Sequence, residues 1–366
     1  MSEVVELAAA LVRIDSVNPS LLAGAAGETE IASFVAGWLG DAGLVVNIVE
    51  PVHGRPSVVA VARGTGRGRS LLLNAHLDTV GVEAMEDAFD ARVAEGRLYG
   101  RGSYDMKGAL AAAMLAAADA AKAGLAGDVI VAAVADEEVA SLGTEAVLKT
   151  VTADACIVCE PTELEVAVSH RGFAGFEIET RGVAAHGSRP DLGVDAIVRM
   201  GPVLVALEAF DRQLQEGARH PLLGPGSLHA SLIEGGQEFS SYPERCIVTG
   251  ERRTLPGETV ADVERDLRAL IVPGTDVEVR TLVARDAFEL DPDHELVRIV
   301  RAAAGTRGVV GLPFWADSAL TAAAGIPTLL FGPAGAGAHA AVEWVDIASL
   351  ERCRAVYREV ATALCR

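Results

Sequence analysis

VIVAAVADEE, residues 129–138, runs seven apolar residues straight into three acids. A run this short and this rich in β-branched residues reads as a strand buried on both faces, because a half-solvated strand would alternate apolar with polar. The same pattern recurs in VVAVA (58–62), LLLNA (71–75), CIVC (156–159) and TLLFG (328–332). Longer helical patterns such as residues 108–123 lie between the runs. Strands alternating with helices predict an α/β domain built on a mostly parallel sheet with helices on both faces.

From about Ser169 the period changes. FEIET (176–180), LHASL (228–232) and CIVTGER (246–252) alternate apolar with polar residues, as half-solvated antiparallel strands do. Amphipathic helical patterns near 194–210 and 259–270 interrupt them, and VEVRTLV (277–283) closes a strand-helix-strand-strand-helix-strand order, which predicts a small two-layer α+β domain of ferredoxin-like type. The buried-strand style returns after Asp286. The expected organisation is therefore a first domain made of residues 1–168 and 286–366, with residues 169–285 inserted. The glycines of GTGRG (64–68) are expected to form a hairpin turn, not a phosphate loop.

Composition removes several classes of function. The 366 residues carry 51 acids against 31 Lys and Arg, a formal net charge of -20, which argues against a nucleic-acid partner. Half of the residues are hydrophobic, yet the longest Ala-rich stretch is interrupted at Asp119 and is too short to span a membrane. The opening MSEVVELAAALVRIDSVNP has early acids and lacks the basic region and cleavage site of a secretory signal, so a cytoplasmic location is expected. Five cysteines form a sparse, odd set that predicts reduced thiols; Cys156 and Cys159, although spaced C-x-x-C, read as buried strand thiols.

The buried runs end in side chains that can bind metal. LLLNA leads to His76 and Asp78, VIVAAVA to Asp136, Glu137 and Glu138, CIVC to Glu160, and TLLFG, through a glycine-rich turn, to His339. Ligands bind beyond the C-terminal ends of the strands in open parallel sheets, so these groups are expected to converge. Asp105 adds a further acid in RGSYDMKG, just before a helix. Taken singly, each has an ordinary explanation as a hydrogen-bonded or solvated group. Together they supply two histidines and enough carboxylates for two metal ions if one carboxylate bridges. Asp78, two residues along an extended segment, is placed to accept from the second ring nitrogen of His76. Nitrogen and oxygen donors without thiolate suit zinc, and also cobalt or manganese. H-E-x-x-H is absent, which disfavours a helix-borne single-zinc site.

HLDTV (76–80), GRGSYDMKGALAA (100–112), DEE (136–138), EPT (160–162) and AHAAVEW (338–344) resemble, from end to end of the chain, the metallopeptidase family of acetylornithine deacetylase, succinyl-diaminopimelate desuccinylase, aminoacylase and the glutamate-releasing carboxypeptidases. The resemblance extends to LVRIDSVNP near the start and to GVAAHGSRPDLGVDAI (182–197). It implies a hydrolase with two metal ions that cleaves an amide next to a carboxylate, as in deacylating an N-acyl amino acid. By position, it implies that His76 and Glu160 hold one metal, Glu138 and His339 the other, that Asp105 bridges them and that Asp78 orients His76. Glu137 is implied as general base, pointing away from its neighbour Glu138 along an extended segment. The inserted domain is implied to be a lid that forms a homodimer and supplies His186 to the partner's oxyanion, and Arg253 is implied to bind the substrate carboxylate. Many relatives carry an asparagine where FSSYPERC here has Ser240 and Ser241, so the contacts to that carboxylate differ. Asp317, in PFWADSAL, reads equally as a pocket acid or as an exposed helix-start acid. The alternatives are a dipeptidase or glutamate-type carboxypeptidase on the same metals, a catalytically silent binding protein on the same fold, which should have lost some ligands, and a thiol redox protein using the C-x-x-C.

Overall fold

The computed structural model describes residues 2–82, 85–271 and 275–366. The chain forms two compact units, the first comprising Met1–Val168, Leu290–Val310 and Ala316–Arg366, the second Ser169–Glu289 with Gly311–Trp315.

The first unit is organised by four parallel strands in the spatial order Val129–Val134, Leu71–His76, Ala155–Val158, Thr328–Leu330. Leu71, Leu72 and Leu73 are all fully buried, and since successive side chains point to opposite faces, both faces of the sheet are covered. Ser57–Ala62 lies antiparallel to Val129–Val134, and Val45–Val49 antiparallel to Ser57–Ala62. Burial on both faces identifies a strand but carries no information on its direction, so the VVAVA run reads like its parallel neighbours. The Ala-rich helix Gly108–Ala123 is buried almost all round and packs against Glu3–Val12 and Ile347–Leu364. No helix among the described residues is long and apolar enough to cross a membrane.

The expected hairpin at residues 64–68 does not form. The strands it joins sit on opposite sides of Val129–Val134, so the segment crosses over the end of that strand. The glycines serve close approach: a Cβ on Gly64 would lie 2.4 Å from the Gly127 carbonyl oxygen, and one on Gly68 2.4 Å from the Gly127 nitrogen. Cys156 and Cys159 are buried free thiols, as read from the sequence, and burial pushes both thiol pKa values up, away from redox reactivity.

The second unit has a four-stranded antiparallel sheet in the order Ser227–Gly235, Arg245–Thr254, Gly172–Arg181, Val277–Arg285. With helices Ala196–Glu216 and Val260–Ala269 the chain order is the ferredoxin-like one. The alternation seen in the sequence is the burial pattern: Phe176, Ile178, Cys246, Val248 and Val279 point into one core with Met200 and Leu207 of the long helix and Val263 and Leu267 of the short one. Thr259 and Asp262 close the short helix with a capping box, fixing its start.

Candidate metal centre

His76, Asp105, Glu137, Glu138, Glu160 and His339 arrive at one place, whereas Asp136, expected among them, turns its carboxylate to the Arg55 guanidinium. Leu71–His76 ends on His76, whose Nε2 lies 3.1 Å from Asp105 Oδ1 and 3.7 Å from Glu160 Oε1. His339 Nε2 lies 3.0 Å from Glu138 Oε2 and 3.6 Å from Asp105 Oδ2. The two oxygens of Asp105 thus face two different histidines. One atom each from His76, Glu137 and Glu160 forms a group within 4.8 Å of one another, and His76, Asp105 and Glu138 form a second.

Glu137 and Glu138 diverge, but not along an extended segment. They begin a turn that follows Asp136, whose φ of 70° swings the chain round, and the Asp136 carbonyl accepts from the backbone of Ala140 and Ser141. Asp78 is also placed differently from expectation. The Nδ1 of His76 bonds to the Asp78 carbonyl oxygen at 2.8 Å, while the nearest carboxylate oxygen is 3.8 Å away. The carboxylate instead accepts from the backbone N–H groups of Glu137 and Glu138, at 3.1 and 3.2 Å. Asp78 therefore ties His76 to the turn that carries the two glutamates.

The charges are crowded and dry. Burial opposes protonation of His76, but its hydrogen bond to Asp105 and the field of Glu160 outweigh this and hold its pKa well above the ordinary value. Bonds to Asp105 and Glu138 raise His339 to about 10. Burial, followed by the fields of neighbouring carboxylates, pushes Glu137 and Glu160 well up, and burial raises Glu138. Carboxylates held this close favour an added cation. The donor set fits two divalent ions, because each histidine has its own glutamate and its own oxygen of Asp105, with distances of 3.0 to 3.7 Å that place the donors around a common point. Filling such a site would displace protons from the histidines.

Two buried acids lie near this group with roles the sequence did not disclose. Glu343 accepts from the backbone N–H groups of Gly102, Tyr104 and Asp105 and from the Arg101 guanidinium, at 2.7 to 3.0 Å, so it clamps the loop that presents Asp105. Asp317 heads the helix Ser318–Ala323, but it is fully buried, not exposed, and accepts from Thr144 Oγ1; burial lifts its pKa to about 6.

His186 and Arg253 belong to the second unit. His186 is exposed, in a two-residue strand paired with Ser241–Tyr242, its Nδ1 2.8 Å from Ser188 Oγ. Arg253 sits in the strand Arg245–Thr254, donates from Nε to Glu251 at 2.6 Å and lies 5.7 Å over the Phe173 ring.

An α/β sheet with paired histidine-carboxylate groups at its strand ends, joined to a ferredoxin-like unit, defines a two-unit hydrolase architecture. The profile of peptidase family M20/M25/M40 matches residues 72–363, and the chain belongs to that family. It is a metal-dependent hydrolase of amide or peptide bonds. An acetylornithine deacetylase of Myxococcus xanthus is 31% identical, over 95% of this chain and 93% of the relative. Among solved structures, aminopeptidase PepT of Bacillus cereus superposes with a TM-score of 0.82 at 18% identity, over 100% of this chain and 98% of the other. A dinuclear metal-binding peptidase of family M20 from Bacillus subtilis superposes with a TM-score of 0.77 at 16% identity, over 99% and 97%.

Proposed function

We propose that this chain is a dimeric, two-metal amidohydrolase that removes the acyl group from an N-acyl amino acid. The observation that carries the reading is Asp105, with one carboxylate oxygen toward His76 and the other toward His339. His76, Glu160 and Asp105 would hold one ion, and Glu138, His339 and Asp105 the second. The donor set favours zinc, with cobalt and manganese accepted. When bound, such ions supply Lewis acidity to the amide carbonyl and to the attacking water. Glu137 takes the proton from that water as its oxygen bonds to the carbonyl carbon, then delivers it to the amine as the C–N bond breaks. Arg253 is the candidate for the substrate carboxylate, since a guanidinium binds a carboxylate through two parallel bonds. His186 is the candidate donor to the oxyanion.

The deacylase reading is favoured over a peptidase by the Myxococcus deacetylase, which matches along almost the whole chain. Dimerisation through the second unit is supported by Val198 and Val205 on its long helix and by Leu232 and Ile233 on its edge strand, all more than half exposed. Five free buried thiols support a reducing, cytoplasmic setting. The test is to strip the protein with a strong chelator, reload it with zinc, cobalt or manganese, and assay N-acetyl amino acids, N-succinyl amino acids and dipeptides. Loss and recovery of activity with N-acyl substrates is expected. Full activity in metal-free protein, or turnover of dipeptides alone, would overturn the reading.

A further inference from the structure

Next to the metal centre lies a buried polar network built from four separate stretches of chain, around residues 18–28, 55, 78 and 136. Arg55 grips Glu28 through two bonds of 2.7 Å and reaches Asp136 Oδ1 at 2.7 Å. Asn18 accepts from Arg55 at 3.1 Å and donates both to Asp136 Oδ1, at 3.0 Å, and to Asp78 Oδ2, at 2.7 Å. Asn18, Glu28, Asp78 and Asp136 are at most 1% exposed, and Arg55 is 7% exposed.

As a source of stability this network is poorly made. One guanidinium faces two acids directly and a third through Asn18, and buried ion pairs recover their desolvation cost only when every group is satisfied. Asp136 Oδ2 has no hydrogen-bond partner, and the residue is held at a positive φ, uncommon outside glycine although Asp adopts it more readily than most side chains. Both costs fall on the residue immediately before Glu137. Strain of this kind persists where the surroundings over-determine a geometry that function needs.

We propose that Arg55 and Asn18 are positioning residues for Glu137: Arg55 fixes the Asp136 turn, Asn18 locks that turn to the Asp78 carboxylate, and Asp78 holds the Glu137 and Glu138 amides. The proposal rests on the reading of Glu137 as the general base. It assigns these residues to the direction of the Glu137 carboxylate; the Glu138 amide shares the same support, so metal affinity falls by no more than the roughly 10- to 100-fold typical of outer support and saturating metal keeps the stoichiometry.

The experiment has an arm that needs neither metal nor substrate. Amide hydrogen exchange is compared in metal-free wild type, Arg55→Lys, which keeps the charge and loses the fork, and Asn18→Ala. Exchange at the Glu137 and Glu138 amides should quicken at least about tenfold in both variants, with the strand Val129–Val134 unchanged. In the metal-loaded proteins kcat should fall by about a hundredfold, the order expected of a misplaced catalytic group, with KM and metal stoichiometry unchanged. On a Glu137→Gln background neither substitution should cost anything further, because residues acting through one group are not additive. Unchanged amide exchange in both variants would overturn the proposal, as would loss of metal in step with kcat or an undiminished further loss on the Glu137→Gln background. Failure of wild type to cleave any N-acyl substrate would sink the functional reading instead, and the exchange arm would still decide the positioning role.

Discussion

Replacing Glu343 by glutamine should weaken metal binding as well as stability, and the size of both effects follows from its contacts. The carboxylate accepts four hydrogen bonds, two at each oxygen: Tyr104 and Asp105 N–H on Oε1, Gly102 N–H and the Arg101 guanidinium on Oε2. Glutamine has the same shape but only one accepting oxygen, so two donors lose their partner and face an amide NH2. Removing one partner of a buried ion pair costs about 3–5 kcal/mol. Arg101 keeps its bonds to the carbonyls of Gly81 and Ala340, which places the loss near the lower end. A loss of about 3 kcal/mol corresponds to a fall in Tm of roughly 6–12 °C for a unit of this size. The same clamp holds the backbone of Asp105, and loosening the outer support of a ligand typically weakens metal affinity by about 10- to 100-fold. Scanning calorimetry of metal-free protein measures the first effect, and competition titration against a chromophoric chelator the second. If Tm falls as expected while metal affinity stays within about twofold of wild type, Glu343 holds the loop without shaping the centre, and the reasoning is refuted.

Glu137→Gln should keep its metal while kcat falls by about 10²- to 10⁴-fold, whereas Glu138→Gln should lose metal, as read by elemental analysis of the two purified variants. The reverse assignment would exchange their roles. Asp317 has a folded pKa raised to about 6 from an ordinary value of 3.8, so its contribution to stability is complete below about pH 4 and is lost as pH rises through about 6. Asp317→Asn, which keeps an acceptor for Thr144 and carries no charge, should be more stable than wild type at pH 7 by up to about 3 kcal/mol, with the advantage vanishing toward pH 4; denaturant melts at both pH values measure it. Mixing inactive His186→Ala chains with inactive Glu137→Ala chains should restore activity once subunits exchange. Demonstrated exchange without recovery would remove the trans role of His186.

The architecture was legible because the two periods are physically distinct. Strands such as Leu71–His76 are buried on both faces and are therefore mostly apolar, whereas Gly172–Arg181 packs one face on helices and alternates. The Ala-rich helix was legible for the same reason, since nearly every side of it is buried. Direction was not legible: Ser57–Ala62 is as apolar as its parallel neighbours and pairs antiparallel. The crossover at residues 64–68 was misread because glycine marks both a tight turn and a close backbone approach, and only the position of Ala126 and Gly127 distinguishes them.

The cluster at the strand ends could be found from sequence because a metal donor must follow the strand that delivers it. The groups that hold those donors in place obey no such rule. Glu343 is preceded by Val342, which is 64% exposed while the acid itself is 2% exposed, so hydropathy reads the pair backwards. Its burial depends on the backbone N–H groups of Gly102, Tyr104 and Asp105, more than two hundred positions away, and backbone donors have no signature in the side-chain alphabet. Arg55 and Asn18 are hidden in the same way, since their partner Asp136 looks like one more member of an acidic run. What separates Asp136 from Glu137 and Glu138 is a backbone angle, and that angle turns three consecutive acids to three uses: the first faces a guanidinium, and the next two face different histidines. A run of like charges is ordinarily a solvated surface. Here the fold makes it tolerable by setting Asp136 on a guanidinium and by raising the pKa of Glu137 and Glu138 through burial, so the acids that follow Val129–Val134 are where the site depends most on the surrounding fold.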